Sequence, residues 1–267
     1  MITDTGRYTN ELKSLEGTVA GLAKVAQGLI LHQHIHPIYG VKVPEDRMQE
    51  VQIRPVEKTL ERVCELDARP FSIAREPLKR AIGNCRHFTV LHTAMLRLHG
   101  FKARARCGFA SYFDRNMFVD HWVTELWDED RKCWIRSDAQ LDEAQQKNFK
   151  IDFDPLDVPT DRFLTGGAAW LQCRSGRMDP MKFGIMQMKG LWFIAGDLIR
   201  DFAALNDVEM LPWDVWGAMP KPEDAISENN LAFFDHLARL TATPDESMGE
   251  IRKIYNTDDR VRVPATI

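Results

Sequence analysis

The hydrophobic period of this chain changes twice along its length, and that change restricts the fold more than any other feature. Between positions 84 and 99, Phe88, Leu91, Met95 and Leu98 recur at helical spacing, and Gly100 ends the run. From Lys102 the period drops to two. Ala103, Ala105, Cys107 and Phe109 point one way, and Lys102, Arg104 and Arg106 point the other. Two more strand-like runs lie near 119–127 and 132–138, with the acidic turn from Asp128 to Arg131 between them. Helical spacing also marks 11–31 and 55–66 upstream, and 162–173, 190–206, 228–241 and 245–255 downstream. Helices, then a strand meander, then helices predict an α+β fold in which a helix packs on an antiparallel sheet, with further helices at both ends. A single domain over 1–267 is expected, with its core at about 55–145 and a helical C-terminal extension at about 150–267.

With 44% apolar and 28% charged residues, a chain of 267 residues can bury a substantial core. A formal net charge of −4 offers no global attraction to nucleic acid or to an anionic membrane. No apolar run approaches the roughly 20 residues of a membrane span, and Asp4, Arg7, Glu11 and Lys13 leave no room for an apolar leader. Five cysteines without a CxxC pair predict reduced thiols in a cytoplasm, not a disulfide framework.

Four of those cysteines read as small buried hydrophobes; Cys85 differs. Asn84 is a favoured helix N-cap, which sets Cys85 at the first helical position. There the positive end of the helix dipole favours a thiolate over a thiol, and first-turn amides can donate to an oxyanion. A thiolate nucleophile needs a base and the base an orienting group. His121 stands in the strand-like run 119–127 and Asp138 at the end of the next. A two-residue loop at Glu129–Asp130 sets Trp127 against Lys132 and His121 directly opposite Asp138, with Cβ atoms about 4.5–5.5 Å apart. A one-residue slip sends the two side chains to opposite faces.

A helix-borne cysteine, then a strand-borne histidine, then an aspartate on the neighbouring strand resembles the transglutaminase-like superfamily and its papain-like fold. The likeness runs through Gly83-Asn84-Cys85-Arg86-His87-Phe88, the helix end from Leu96 to Gly100, the segment Phe101–Phe109, His121-Trp122-Val123-Thr124-Glu125, and Trp134–Asp138, about residues 80 to 142 in all. The resemblance implies Cys85 as nucleophile, His121 as general base then acid, and Asp138 as orienter. It also implies acyl transfer or hydrolysis on amide or thioester substrates, whether peptide, protein or carrier-bound acyl groups, with no cofactor and no metal. Three departures stand out. His87 occupies a position that is often acidic, Ala139 follows the aspartate where proline is common, and no tryptophan precedes Trp122 to supply an indole N–H to the oxyanion. Gln33, His34 and Tyr39 are the upstream side chains that can take that role, and Trp122 can wall a substrate groove.

Two other functions compete. His32, His34 and His36 alternate onto one face if their segment is extended, and a metal-dependent amidohydrolase could use them. A non-catalytic peptide- or protein-binding module on the same scaffold is the other reading, although it leaves the retention of all three triad residues unexplained. Lys102, Arg104 and Arg106 are expected to form a solvated strand face or a docking patch for an acidic carrier protein.

Overall fold

The computed structural model describes residues 1–222 and 224–266. In chain order its elements are α1 (Thr9–Lys13), α2 (Val19–Leu29), β1 (Ile30–His32), α3 (Val56–Leu66), β2 (Ala81–Gly83), α4 (Cys85–Leu98), β3 (Ala103–Ala110), β4 (Phe118–Asp128), β5 (Cys133–Ser137) and α5 (Glu143–Phe149). They continue with β6 (Phe163–Thr165), α6 (Gly166–Arg174), β7 (Phe183–Ile185), β8 (Met188–Lys189), α7 (Leu191–Ala204), α8 (Glu228–Ala242) and α9 (Pro244–Thr257). The fold is α+β. The larger sheet reads β6-β3-β4-β7-β8 with β5 also on β4, and it is mixed, because β4 pairs β5 antiparallel and β7 in parallel. A separate two-stranded sheet pairs β1 and β2 in parallel.

The chain divides into two compact units: Met1–Ala105 with Val123–Val158, and Arg106–Trp122 with Pro159–Ile267. The helical C-terminal segment thus shares its unit with residues 106–122, which sequence periodicity grouped with the core.

In the first unit α4 is the central element. Phe88, Leu91 and Met95 are buried with Leu22, Ala26 and Leu29 of α2, Val56, Leu60 and Val63 of α3, and Ala103 and Leu126 of the strands. Full burial of one such aliphatic or aromatic side chain contributes roughly 1.5–3 kcal/mol, so this cluster is what holds the helix on the sheet. Two hydroxyls add direction. Thr124 of β4 lies 3.1 Å from Thr93 Oγ1 and donates to the Thr89 carbonyl at 3.4 Å. Gly100, at φ 85°, adopts the left-handed conformation that ends the helix and turns the chain into β3.

In the second unit α6, α7 and α8 pack together. The Trp170 indole donates to Asp235 at 2.7 Å and its ring meets Phe234 edge-on. Phe109 of β3 packs against Phe183 and Phe193. The aromatic turn after α7 is closed by Asp214, which accepts the Leu211 N–H at 2.9 Å and offers its own carbonyl to Arg200 at 3.0 Å.

The basic face predicted for β3 is not solvated, which corrects that reading. Arg104 is buried against Glu125, its Nε donating at 2.9 Å, and stacks over Trp134 at 3.8 Å. Arg106 is 2% exposed and grips Asp201 with two hydrogen bonds of 2.9 and 2.8 Å. Period-two alternation identifies the two faces of a strand but not which of them is covered, and here buried carboxylates answer both guanidinium groups. Only Lys102 of the three stays exposed, so no triple-basic docking patch exists.

Candidate active site

Cys85 is the first residue of α4, as its sequence context predicts, and is 6% exposed. Asn84 has extended backbone angles and caps the helix, its side chain accepting the Arg86 N–H at 3.1 Å and the His87 N–H as well. Those two amides are therefore committed to the cap and not to an oxyanion.

His87 explains its own departure from the acidic residue expected at that position. It is the third helical residue, and it completes a capping box in which a carboxylate or amide side chain usually reaches back. Nε2 donates to the Ile53 carbonyl at 2.8 Å, which puts the ring proton there and leaves Nδ1 to accept the Asn84 N–H at 3.1 Å. Burial, reinforced by the Arg86 charge, pushes the His87 pKa down to about 3 despite the Ile53 bond, so the ring is neutral at ordinary pH. Gly83 is required beside it. A Cβ at that position would lie 2.8 Å from His87 Cβ and 2.9 Å from a methyl of Ile30.

The strand leading into Cys85 is fixed on two sides. On one, β1 pairs β2 in parallel with His32 opposite Gly83, and the Gln33 N–H continues the ladder to the Gly83 carbonyl at 2.8 Å. On the other, the Ile82 N–H donates to Glu50 at 2.8 Å. Burial raises the Glu50 pKa, but Arg47, the Ile82 amide and Arg62 outweigh it and hold the carboxyl below its ordinary value. Gln33 therefore lies in the chain immediately alongside the approach to Cys85.

Tyr39 and His34 fare differently. The Tyr39 hydroxyl donates to Asp142 at 2.8 Å and accepts from Gln145 at 3.0 Å, and burial raises its pKa well above the ordinary value. Asp142 is both this partner and the N-cap of α5, accepting the Gln145 N–H at 2.9 Å. His34 is exposed, its N–H donating to His32 Nδ1 at 3.2 Å.

The segment holding His32, His34 and His36 is not an extended strand, which corrects that expectation. β1 stops at His32, and Pro37 opens a 3-10 turn over His36–Tyr39 that turns the histidines out of register. His36 Nδ1 is taken up at 2.8 Å by the Val41 carbonyl. Among the described residues these three imidazoles form no convergent metal-ligand group.

The other two residues of the expected triad sit on a strand or just past one. His121, on β4, belongs to the second unit, where Tyr112, Phe113 and Phe163 surround its ring edge-on at 5.8, 4.8 and 6.5 Å. Trp122 beside it is fully buried, with an indole N–H that meets no acceptor among the described residues. Asp138 is in the first unit, 1% exposed, one residue past β5. Its backbone N–H donates to Pro155 at 2.7 Å and its Oδ1 accepts the Gln140 N–H at 3.0 Å, and Gln140 in turn reaches Gln145 at 3.0 Å. His92, two turns after Cys85 on α4, is buried and feels the Asp138 charge. Burial still lowers its pKa to about 4 against the pull of the Val19 carbonyl and of Asp138.

The β4–β5 register differs from the predicted one. Trp127 pairs Trp134, not Lys132, and the last pair is Thr124 with Ser137. The turn is longer than two residues because Asp128 Oδ1 accepts the N–H groups of Asp130 and Arg131, and Lys132 takes a left-handed φ of 52°. The shift is two residues, which preserves the alternation of faces but removes the directly opposed pairing of His121 with Asp138.

With this geometry in view, residues 57–139 match the family model described as the transglutaminase-like superfamily, so the resemblance read from the residues is borne out over that segment. The match spans less than a third of the chain. Among solved structures, a candidate cysteine protease from Cytophaga hutchinsonii is similar at 15% identity and a TM-score of 0.23, covering 61% of this chain. The chain spans 47% of that protein's length. No curated protein matches significantly. Among the described residues, no helix is long and apolar enough to cross a membrane.

Proposed function

We propose that the chain is a cysteine-dependent acyl transferase or hydrolase acting on amide or thioester substrates through a thioester acyl-enzyme. The observation that carries this reading is the position of Cys85, at the head of a capped helix whose lead-in strand is held on both edges. A sulfur held there is favoured as thiolate by the helix dipole, and its strand and cap leave it little freedom to wander from an attacking geometry.

In this mechanism His121 takes the Cys85 thiol proton as the sulfur attacks the substrate carbonyl carbon. The carbonyl oxygen gains the negative charge of the tetrahedral intermediate. As that intermediate collapses, the bond to the leaving nitrogen or sulfur breaks, and the imidazolium returns its proton to that atom. Water or an amine then attacks the thioester, His121 accepting its proton and giving it to the departing Cys85. Asp138 serves to orient the imidazole. For the oxyanion, Gln33 is the side chain we favour, because its backbone adjoins Gly83 while the Tyr39 hydroxyl is engaged on both sides. Peptides, proteins and carrier-bound acyl groups are the substrates to consider. All five cysteines are free thiols, which agrees with a reducing, cytoplasmic setting.

The test is iodoacetamide labelling at neutral pH, followed by intact-mass trapping with a panel of acyl thioesters and peptide amides. Cys85→Ala is expected to lose the fast-labelling thiol and every adduct while keeping the wild-type circular dichroism. Equal labelling of that variant removes Cys85 from the chemistry. A wild-type protein that forms no adduct with any probe favours the binding-module reading.

A further inference from the structure

A second group of reactive side chains lies within the second unit, and the acyl chemistry proposed above makes no use of it. Cys107 of β3, Asp120 of β4 and Asp197 of α7 bring one ligand atom each to within 4.8 Å of one another, and all three are buried. Cys107 and Asp197 are 0% exposed and Asp120 is 9% exposed. Asp120 Oδ1 meets no hydrogen-bond donor among the described residues, and Asp197, whose Oδ1 is taken by Arg200, has for its other oxygen no donor beyond the Cys107 thiol of the group itself. A buried carboxylate oxygen without a donor or a cation is costly, and natural structures almost always answer it. Here a thiol and two carboxylates converge.

We propose that Cys107, Asp120 and Asp197 form a binding site for one divalent metal ion of the zinc class. The donor set of one sulfur and two oxygens suits a borderline-soft ion, and the distances are compatible with it. Zinc–sulfur bonds of about 2.3 Å and zinc–oxygen bonds of about 2.0–2.2 Å put ligand atoms roughly 3.5 Å apart around a tetrahedral centre. The fourth position falls to a water or to a carboxylate's second oxygen.

Arg200 is the obvious objection, since it donates to Asp197 Oδ1 at 2.9 Å. Its position instead completes the charge balance. A thiolate and two carboxylates bring three negative charges and Arg200 one positive, so a divalent ion brings the cluster to neutrality. Arg200 occupies Oδ1 and leaves Oδ2 open, as an outer partner that orients a ligating carboxylate does. Asp201 fixes the Cys107 backbone, its Oδ1 accepting the Cys107 N–H at 3.0 Å. An ion held here ties β3, β4 and α7 together one residue before His121, which makes its role structural.

The full chain carrying Cys85→Ser, expressed in cobalt-supplemented medium, isolates this site from the reactive thiol. One cobalt per chain is expected by elemental analysis, with a near-ultraviolet sulfur-to-cobalt charge-transfer band that added zinc abolishes. Cys107→Ser should remove the band, and Asp120→Asn should weaken metal binding at least tenfold. Purified protein that takes up no stoichiometric metal overturns the proposal and leaves a proton-sharing cluster. A band that survives Cys107→Ser overturns it as well. Should Cys107→Ser fail to fold, the cobalt content and spectrum of the parent protein still decide. None of these readouts depends on acyl chemistry, so the outcome stands apart from the fate of the Cys85 mechanism.

Discussion

His87 holds Asn84 from below: Nδ1 accepts the Asn84 backbone N–H at 3.1 Å while Nε2 is fixed by the Ile53 carbonyl. One neutral imidazole therefore closes the first turn of α4, where Cys85 sits. His87→Gln can still accept that N–H, as glutamine does in the usual box, and is expected to stay near wild type. His87→Ala should cost about 1 kcal/mol through the lost cap, and more through the orphaned Ile53 carbonyl. Urea unfolding measures the stability, and the rate of Cys85 alkylation should fall only for the alanine variant.

The same ring makes stability pH-dependent. The folded-state pKa values of His87 and His92 are lowered to about 3 and about 4 from 6.5. Below pH 6.5 the unfolded chain takes up protons that the folded chain refuses, so stability is full above that value. It falls as the pH drops toward 4, by about 1.4 kcal/mol per pH unit for each histidine. Unfolding midpoints measured between pH 7 and pH 4.5 should show this decline, and His87→Gln should reduce its slope by roughly half. An unchanged slope would mean that His87 is charged in the folded protein.

Gly83→Ala should destabilise by about 1–3 kcal/mol, because the added methyl meets His87 and Ile30 at 2.8–2.9 Å and both belong to packed elements. Thermal unfolding reads the loss. The displaced cap should also slow thiol labelling.

Asp201→Asn leaves Arg106 buried with its bidentate partner gone, although the Thr241 carbonyl at 3.0 Å remains. A penalty of about 3–5 kcal/mol is expected from an uncompensated buried guanidinium. Lys102→Ala, on the same strand but exposed, should stay within about 0.5 kcal/mol of wild type.

Gln33→Ala separates the oxyanion role proposed for Gln33 from the proposed attack by Cys85. Acylation by a thioester should drop about 10²–10³-fold, while iodoacetamide alkylation, which builds no oxyanion, stays unchanged. Equal losses in both reactions would assign Gln33 to the fold of the β1–β2 ladder instead.

Much of α4 and its surroundings was legible in the residues. Its apolar period, Asn84 and Gly100 mark the helix to within a residue, and Val56–Leu66 and Ala103–Ala110 follow their patterns nearly as closely. What escaped was set mostly by contacts distant in sequence, and in one turn by a side chain that bonds its own backbone. β1 and β2 are three residues each, too short to show a period, and exist because they pair with one another at a separation of 51 positions, Ile30 with Ala81. The β4–β5 register depended on Asp128 bonding its own turn, a choice invisible in a run of charged residues. The burial of Arg104 and Arg106 likewise turned on Glu125 and Asp201, which no local pattern announces.

The parallel ladder between Ile30–His32 and Ala81–Gly83 carries a practical corollary about the smallest autonomous piece of this protein. Residues 57–139 contain the matched segment, but a fragment cut to those limits would lose Gln33, the β1 strand and Glu50, baring both edges of the strand that delivers the cysteine. The segment that resembles the superfamily is thus shorter than the stretch of polypeptide needed to keep the Cys85 sulfur in place.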